Sequence, residues 1–155
     1  MKFSAKLSWE KNAGESFIDG KYSRVHKWLF DGGAELSVSS SPEVVPVPMS
    51  DESTIDPEES FIASLSACHM LFFLSIAAGK KYIIEKYEDY PEGFVDKNDD
   101  GNLAMIKITL RPEIIFSGPV IPSKEQVSEI HSLSHARCYL ANSVKSKIEI
   151  VSGSN

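Results

Sequence analysis

The stretch from Asp56 to Gly79 leaves the chain the fewest choices. Asp56 stands where a helix N-cap belongs, Pro57 at the first helical position and Glu59 in the reciprocal place of a capping box. A helix is therefore predicted to start here, and Glu58 and Glu59 put negative charge at the positive end of its dipole. From Phe61 to Ala78 apolar or small residues occur on nearly every side, and Gly79 followed by Lys80 and Lys81 gives a stop. A helix without a polar face must be covered all round. That is hard to achieve within 155 residues. An intertwined homodimer, with two such helices packed together at its centre, is the expected solution. Ser64, Ser66, His69 and Ser75 interrupt the apolar run and acids open it, so a membrane span is not expected.

Strand patterns flank this helix. Lys2 to Trp9 alternates, and Tyr22 to Phe30 and Ala34 to Ser39, joined by the turn Asp31-Gly32-Gly33, read as a hairpin. Ser40 to Ser53 contains Pro42, Pro46 and Pro48 and reads as a connecting loop. Beyond the helix, Tyr82 to Val95 and Leu103 to Phe116 read as two strands around a turn at 96–102. Asp99 and Gly101 resemble part of a calcium loop there, but its other acidic ligands are missing. Ser123-Lys124-Glu125-Gln126 is a second capping box, opening a helix to about Ala141 with Val127, Ile130, Ser134, Cys138 and Ala141 on its inward stripe. Val144 to Val151 is a last strand. The predicted order is β-β-β-α-β-β-α-β, an α+β fold of antiparallel sheet and two helices in a single domain, 1–155.

A net charge of −6, with Lys and Arg scattered, argues against a nucleic-acid partner. The polar, alternating start of the chain does not read as a secretory signal. A cytoplasmic protein is expected, with no membrane partner. In a reducing compartment two cysteines are more often catalytic, redox-active or metal-binding than a staple. A chain of this length can also bury a core without one. Cys68 lies in the middle of the first helix and Cys138 on the stripe of the second. Alone, each reads as a core thiol, since free cysteine is among the most buried residue types. Two features raise them above that reading: both cysteines of the chain fall on inward faces, and both have polar neighbours in sequence. These are Ser64, Ser66 and His69 for the first, and Ser134, His135 and Arg137 for the second.

The run from Asp56-Pro57-Glu58-Glu59 to Ser66-Ala67-Cys68 resembles the segment before the reactive cysteine in the OsmC/Ohr family, where a Pro-Glu pair opens the central helix. Tyr22 to Gly33 resembles the N-terminal hairpin of the OsmC-like branch. His135-Ala136-Arg137-Cys138 with Ala141-Asn142-Ser143-Val144 resembles its second cysteine helix and final strand. The resemblance departs at Tyr139, where many relatives have Pro, and His69 after the first cysteine marks a separate OsmC-like branch. It implies a thiol-dependent peroxidase of organic hydroperoxides acting in oxidative-stress defence, homodimeric, with sites at the subunit interface and no cofactor. Cys68 is then the peroxidatic cysteine, Cys138 the resolving one that closes a disulfide with it, Arg24 the hairpin arginine and Glu58 the helix-opening glutamate. A dithiol, typically a dihydrolipoyl group, resets the pair.

The chemistry asks for such groups independently. The thiolate is the nucleophile, and an unperturbed thiol near pKa ~8.5 supplies little of it at neutral pH. Cys68 lies too far along its helix to use the dipole, which fades within a turn. A cation must serve instead, and Arg24, always charged and able to fork two hydrogen bonds, is the better candidate. Glu58 would hold Arg24 by a bidentate pair. It stands roughly 15 Å along the helix from Cys68, so it would act through Arg24 or from the partner subunit. Trp28, Phe61, Leu65, Phe72 and Tyr139 are candidates for an apolar substrate pocket, and equally for core. Two rival readings remain: a zinc site from His131, His135 and Cys138 with Cys68 and His69, and a non-catalytic binder of a small apolar ligand.

Overall fold

The computed structural model describes residues 1–152. Its contacts divide the chain into two compact units, Met1–Ser60 and Phe61–Asn155. In the first unit, β1 (Ala5–Ser8), β2 (His26–Phe30) and β3 (Glu35–Val38) form an antiparallel sheet with β2 in the middle. The predicted hairpin is present, and Gly33 turns it at φ 84°, a left-handed conformation that glycine takes at no steric cost. β2 starts later than its sequence pattern. Tyr22 stacks on Phe17 and meets Trp9 edge-on, and the Arg24 N–H donates to the Met49 carbonyl rather than to a strand. The proline-bearing loop carries no strand or helix. It closes where the Ser39 N–H donates to Ile55 O, beside the fully buried Val38.

α1 (Pro57–Gly79) starts at the end of the first unit and runs into the second. Its capping box forms: the Glu59 N–H donates to Asp56 Oδ1 at 2.7 Å and the Asp56 N–H to Glu59 Oε2 at 3.3 Å. Leu65, Ser66, His69, Phe73, Ile76 and Ala77 make one buried face. Ala63, Ser64, Ala67, Leu71, Ser75 and Ala78 stay exposed on another. The expected burial on every side is thus not met within one chain, because the later strands and the second helix cover only one face. By length and composition α1 would suffice to cross a membrane. Here its buried face packs on later strands and on the second helix.

The two long strands predicted after α1 are each broken in two. β4 (Ile83–Glu88) pairs antiparallel with β7 (Glu113–Ser117), and β5 (Glu92–Lys97) with β6 (Leu103–Leu110). The pattern is one hairpin interrupted on both arms, at Pro91 and at Pro112. Neither proline has an N–H for the ladder. The Asp89 side chain takes over there, accepting from the Arg111 N–H and from the Ser66 hydroxyl of α1. Gly93 lets β5 pass close to α1: a methyl at that position would fall 2.8 Å from Ile62 Cγ2 and 2.5 Å from Met105 Sδ.

α2 (Lys124–Arg137) carries the predicted Ser123/Gln126 capping box but stops short of Ala141, at Cys138, whose backbone is extended (φ −66°, ψ 114°). The Asn142 amide donates to the carbonyls of Ala136 and Cys138, satisfying groups that a longer helix would have paired. β8 (Lys147–Ile150) joins β6 in parallel, a departure from the antiparallel expectation. Parallel pairing needs a crossover, which β7 and α2 supply. The observed order is β-β-β-α-β-β-β-β-α-β. The core of the second unit has two clusters, Phe73, Ile76, Ala77 and Ile130 in one, Leu65, Ile108 and Leu110 in the other.

A buried polar pair stands in this core. His69 Nε2 and His131 Nδ1 are hydrogen-bonded at 3.0 Å, with rings 5.3 Å apart and nearly coplanar in orientation (10°). Burial pushes both imidazoles down to about 4; Asp89 opposes this at His69 while His135 adds to it, and His69 adds to it at His131.

Two expectations follow from this packing. An unfolded imidazole titrates near ~6.5, so between that pH and about 4 the unfolded chain binds more protons and stability falls as pH falls. The urea midpoint should drop between pH 6.5 and 5, above the range of most carboxylates, and drop less in a His69→Phe/His131→Phe variant; equal slopes would refute this. Asp89→Ala removes the acceptor that bridges the broken hairpin to α1 and strands the Ser66 hydroxyl, so urea unfolding should show a loss of about 3 kcal/mol.

Candidate active site

Cys68 and Cys138 are 70 positions apart in the chain, and their sulfurs are 2.7 Å apart in space. Both are free thiols, and the S–H of Cys138 donates to Cys68 Sγ. α1 presents Cys68 half-buried, one residue before the buried His69. Cys138 is presented differently. It is the C-cap of α2, its N–H donates to Ser134 O at 2.9 Å, and the extended backbone there carries its side chain across to α1. The Ala141 N–H donates to Cys138 Sγ at 3.4 Å from the turn that follows.

The two thiols are not equivalent. Cys138 is fully enclosed, and burial pushes its thiol up to about 11, with the hydrogen bond to Cys68 adding to the effect. At neutral pH it therefore keeps its proton and stays a donor. Cys68 is the more exposed of the two. A reagent arriving from solvent meets Cys68 first.

The other residues singled out in the sequence fall into three groups. Phe72, one turn on from Cys68, meets Tyr139 edge-to-face at 5.5 Å, so an aromatic margin adjoins the thiols, with Tyr139 largely open to solvent. Phe61 and Leu65 belong to the core instead. Leu65 is 1% exposed among Ile108 and Leu110, which corrects its candidacy as a pocket wall: it has no surface to offer a ligand. Arg24, Glu58 and Trp28 lie in the first unit. The Arg24 guanidinium lies over the Tyr22 ring, 3.6 Å from its centroid, and donates to the carbonyls of Tyr22 and Gly20. Glu58 is exposed in the first turn of α1. Among the described residues no ion pair joins Arg24 to Glu58, because neighbouring carbonyls already engage the guanidinium. The Trp28 indole N–H donates to His26 Nε2 at 3.0 Å.

Two features were not read from the sequence. Trp9, Phe17, Tyr22, Arg24 and His26 line a cavity of about 480 Å³ in the first unit. Its residues come from the ends of β1 and β2 and from the loop between them, segments whose meeting no spacing along the chain announces. The second is the pairing of His69 with His131, which a zinc reading had placed with Cys68, His135 and Cys138. Both occupy inward helix positions, a signal that was present. Among the described residues no three His, Cys, Asp or Glu side chains converge as metal ligands would.

The OsmC-like protein family model matches residues 50–152. Among solved structures, the chain is similar to an OsmC-like protein of unknown function from Vibrio cholerae O1 biovar eltor, with 44% identity and a TM-score of 0.97 over 99% of both chains. It shares its fold with an organic hydroperoxide resistance protein from Elizabethkingia anophelis (14% identity, TM-score 0.70, 100% of this chain and 99% of that one). The same holds for the organic hydroperoxide resistance protein OhrB of Bacillus subtilis (16% identity, TM-score 0.65, 97% and 98%). A search of curated protein sequences finds no match. The helix-opening motif, the α+β order around two cysteine-bearing elements and these likenesses agree: the chain belongs to the OsmC-like protein family.

Proposed function

We propose that this protein is a thiol-dependent peroxidase that reduces organic hydroperoxides, with Cys68 as the attacking sulfur and Cys138 as the resolving one. The observation that carries the reading is the 2.7 Å contact between two free thiols of unequal exposure. The Cys68 thiolate attacks the outer oxygen of the hydroperoxide, the O–O bond breaks, and the alcohol leaves with a proton. Cys68 is left as a sulfenic acid. Cys138 then gives up its proton and attacks that sulfur, forming an S–S bond and releasing water before further oxidation. A dithiol such as a dihydrolipoyl group returns two electrons and two protons and restores both thiols. The raised pKa of Cys138 suits its later role, since a protonated thiol does not compete for peroxide.

In this scheme Arg24, of the same chain or of its partner, supplies the permanent positive charge. Glu58, about 15 Å along the helix from Cys68 and not paired with the Arg24 of its own chain, acts in this scheme on a partner chain. The Phe72–Tyr139 margin suits an alkyl group, as do the hydroperoxide resistance proteins that share the fold. We assign the protein to the cytoplasm, as a single domain in a homodimer. The exposed stripe of α1, mostly Ala and Ser, lets a second helix approach closely and would complete the covering that one chain does not provide.

Three measurements test the reading. With cumene hydroperoxide and dihydrolipoamide, the wild type should turn over and Cys68→Ser should fall to the uncatalysed rate; a wild type as slow as that variant leaves a ligand binder instead. Cys138→Ser should retain the first turnover and accumulate sulfinic acid at Cys68, read by mass spectrometry. Sedimentation should give a dimer, and Leu71→Arg on the exposed stripe should give a monomer.

A further inference from the structure

Most side-chain contacts between α1 and α2 are apolar or aromatic: Phe73 and Ile76 with Ile130, Phe73 with His131, and Phe72 with Tyr139 just past α2. Such contacts hold helices together but are non-directional and tolerate sliding. Apart from them and from the contact of Cys68 with Cys138 at the α2 C-cap, the His69–His131 hydrogen bond is, among the described residues, the one buried hydrogen bond between side chains of α1 and α2. The nearest comparable contact, Lys80 to Glu129 at 3.2 Å, lies past the end of α1 and is exposed.

This pair is a poor device for stability. Each ring is nearly inaccessible, and His131 Nε2 is enclosed with no hydrogen-bond partner. Two apolar rings of the same shape would avoid that penalty. What the pair offers is direction: one short bond between fixed ring atoms specifies how far one helix may slip past the other. Its position makes that consequential. His69 follows Cys68 on α1, and His131 lies two turns before Cys138, about 10 Å along α2. The helices that the pair joins are the two that carry the sulfurs.

We propose that the His69–His131 hydrogen bond is the pin that sets the register of α1 against α2 so that Cys68 and Cys138 meet, making both histidines positioning residues for disulfide formation. The inference rests on the redox reading of the two cysteines, yet it is testable without peroxide. In a dithiothreitol redox buffer, Cys68 and Cys138 pass two electrons and two protons to oxidised dithiothreitol, forming their S–S bond and reduced dithiothreitol. The equilibrium constant reports how well the fold brings the sulfurs together.

The variants are His69→Phe/His131→Phe, His131→Phe alone, and His131→Asn, whose amide lies close to the Nδ1 position and keeps a partner for His69. The double variant should shift the constant about tenfold toward the dithiol, about 30 mV for a two-electron couple. Its thermal midpoint should be unchanged or higher, and His131→Asn should stay within about twofold of wild type. A double variant with the wild-type constant overturns the pin, as does an Asn variant displaced as far as the Phe variant, or a wild type that forms no intrachain disulfide. Should the double variant fail to fold, the comparison of His131→Phe with His131→Asn decides in the same way. A shifted constant without hydroperoxide turnover keeps the pin and removes the peroxidase; turnover with an unshifted constant does the reverse.

Discussion

The second unit is organised by the contact of one face of α1 with both of its apolar clusters. Leu65 enters the cluster of Ile108 and Leu110, and Phe73, two turns later, enters that of Ile130 and Ile76. Burying side chains of this size contributes about 1.5–3 kcal/mol each, enough to fix the rotation of the helix about its axis. Cys68 lies between these anchors on a flank of the buried face. It therefore has a set direction while remaining half-open to solvent. A nucleophile needs both.

The strands adapt to that helix. The hairpin carrying β4 to β7 breaks at two prolines, and Asp89 bridges the break to Ser66 on α1. Gly93 brings β5 closer to Ile62 than any side chain would allow. Polar satisfaction thus acts at Ser66, about half a turn before Cys68, and steric room at Ile62, about one turn earlier. The opposite flank is handled by α2, whose early stop at Cys138 turns a helical residue into a cap and its sulfur into a neighbour of Cys68.

Burial divides labour between the two thiols. The enclosed one holds its proton and donates; the half-exposed one receives the hydrogen bond and faces solvent. The same low-polarity interior that raises Cys138 lowers His69 and His131, because in each case the charged form loses hydration. A neutral histidine pair and a protonated thiol can share this core. In the first unit, backbone carbonyls and an aromatic ring hold the Arg24 guanidinium.

Much of this was legible in the residues. Asp56, Pro57 and Glu59 specify where α1 starts, and Ser123 and Gln126 do so for α2, since a capping box is a local device that closes over four residues. The turn at Gly33 and the irregular proline loop are likewise local. Readings that depended on partners distant in the chain went further astray. The broken hairpin was predicted as two continuous strands, although Pro91 and Pro112 were in view, because their effect depends on being opposite one another. The parallel placement of β8 and the end of α2 at Cys138 depend on a crossover and on Asn142 reaching back. The sequence by itself determined the helices, the two sulfurs and the family likeness, all properties of short segments. Only the tertiary structure decided that sulfurs 70 positions apart touch and that two histidines join the helices bearing them, because such meetings depend on the packing of the whole unit rather than on spacing along the chain.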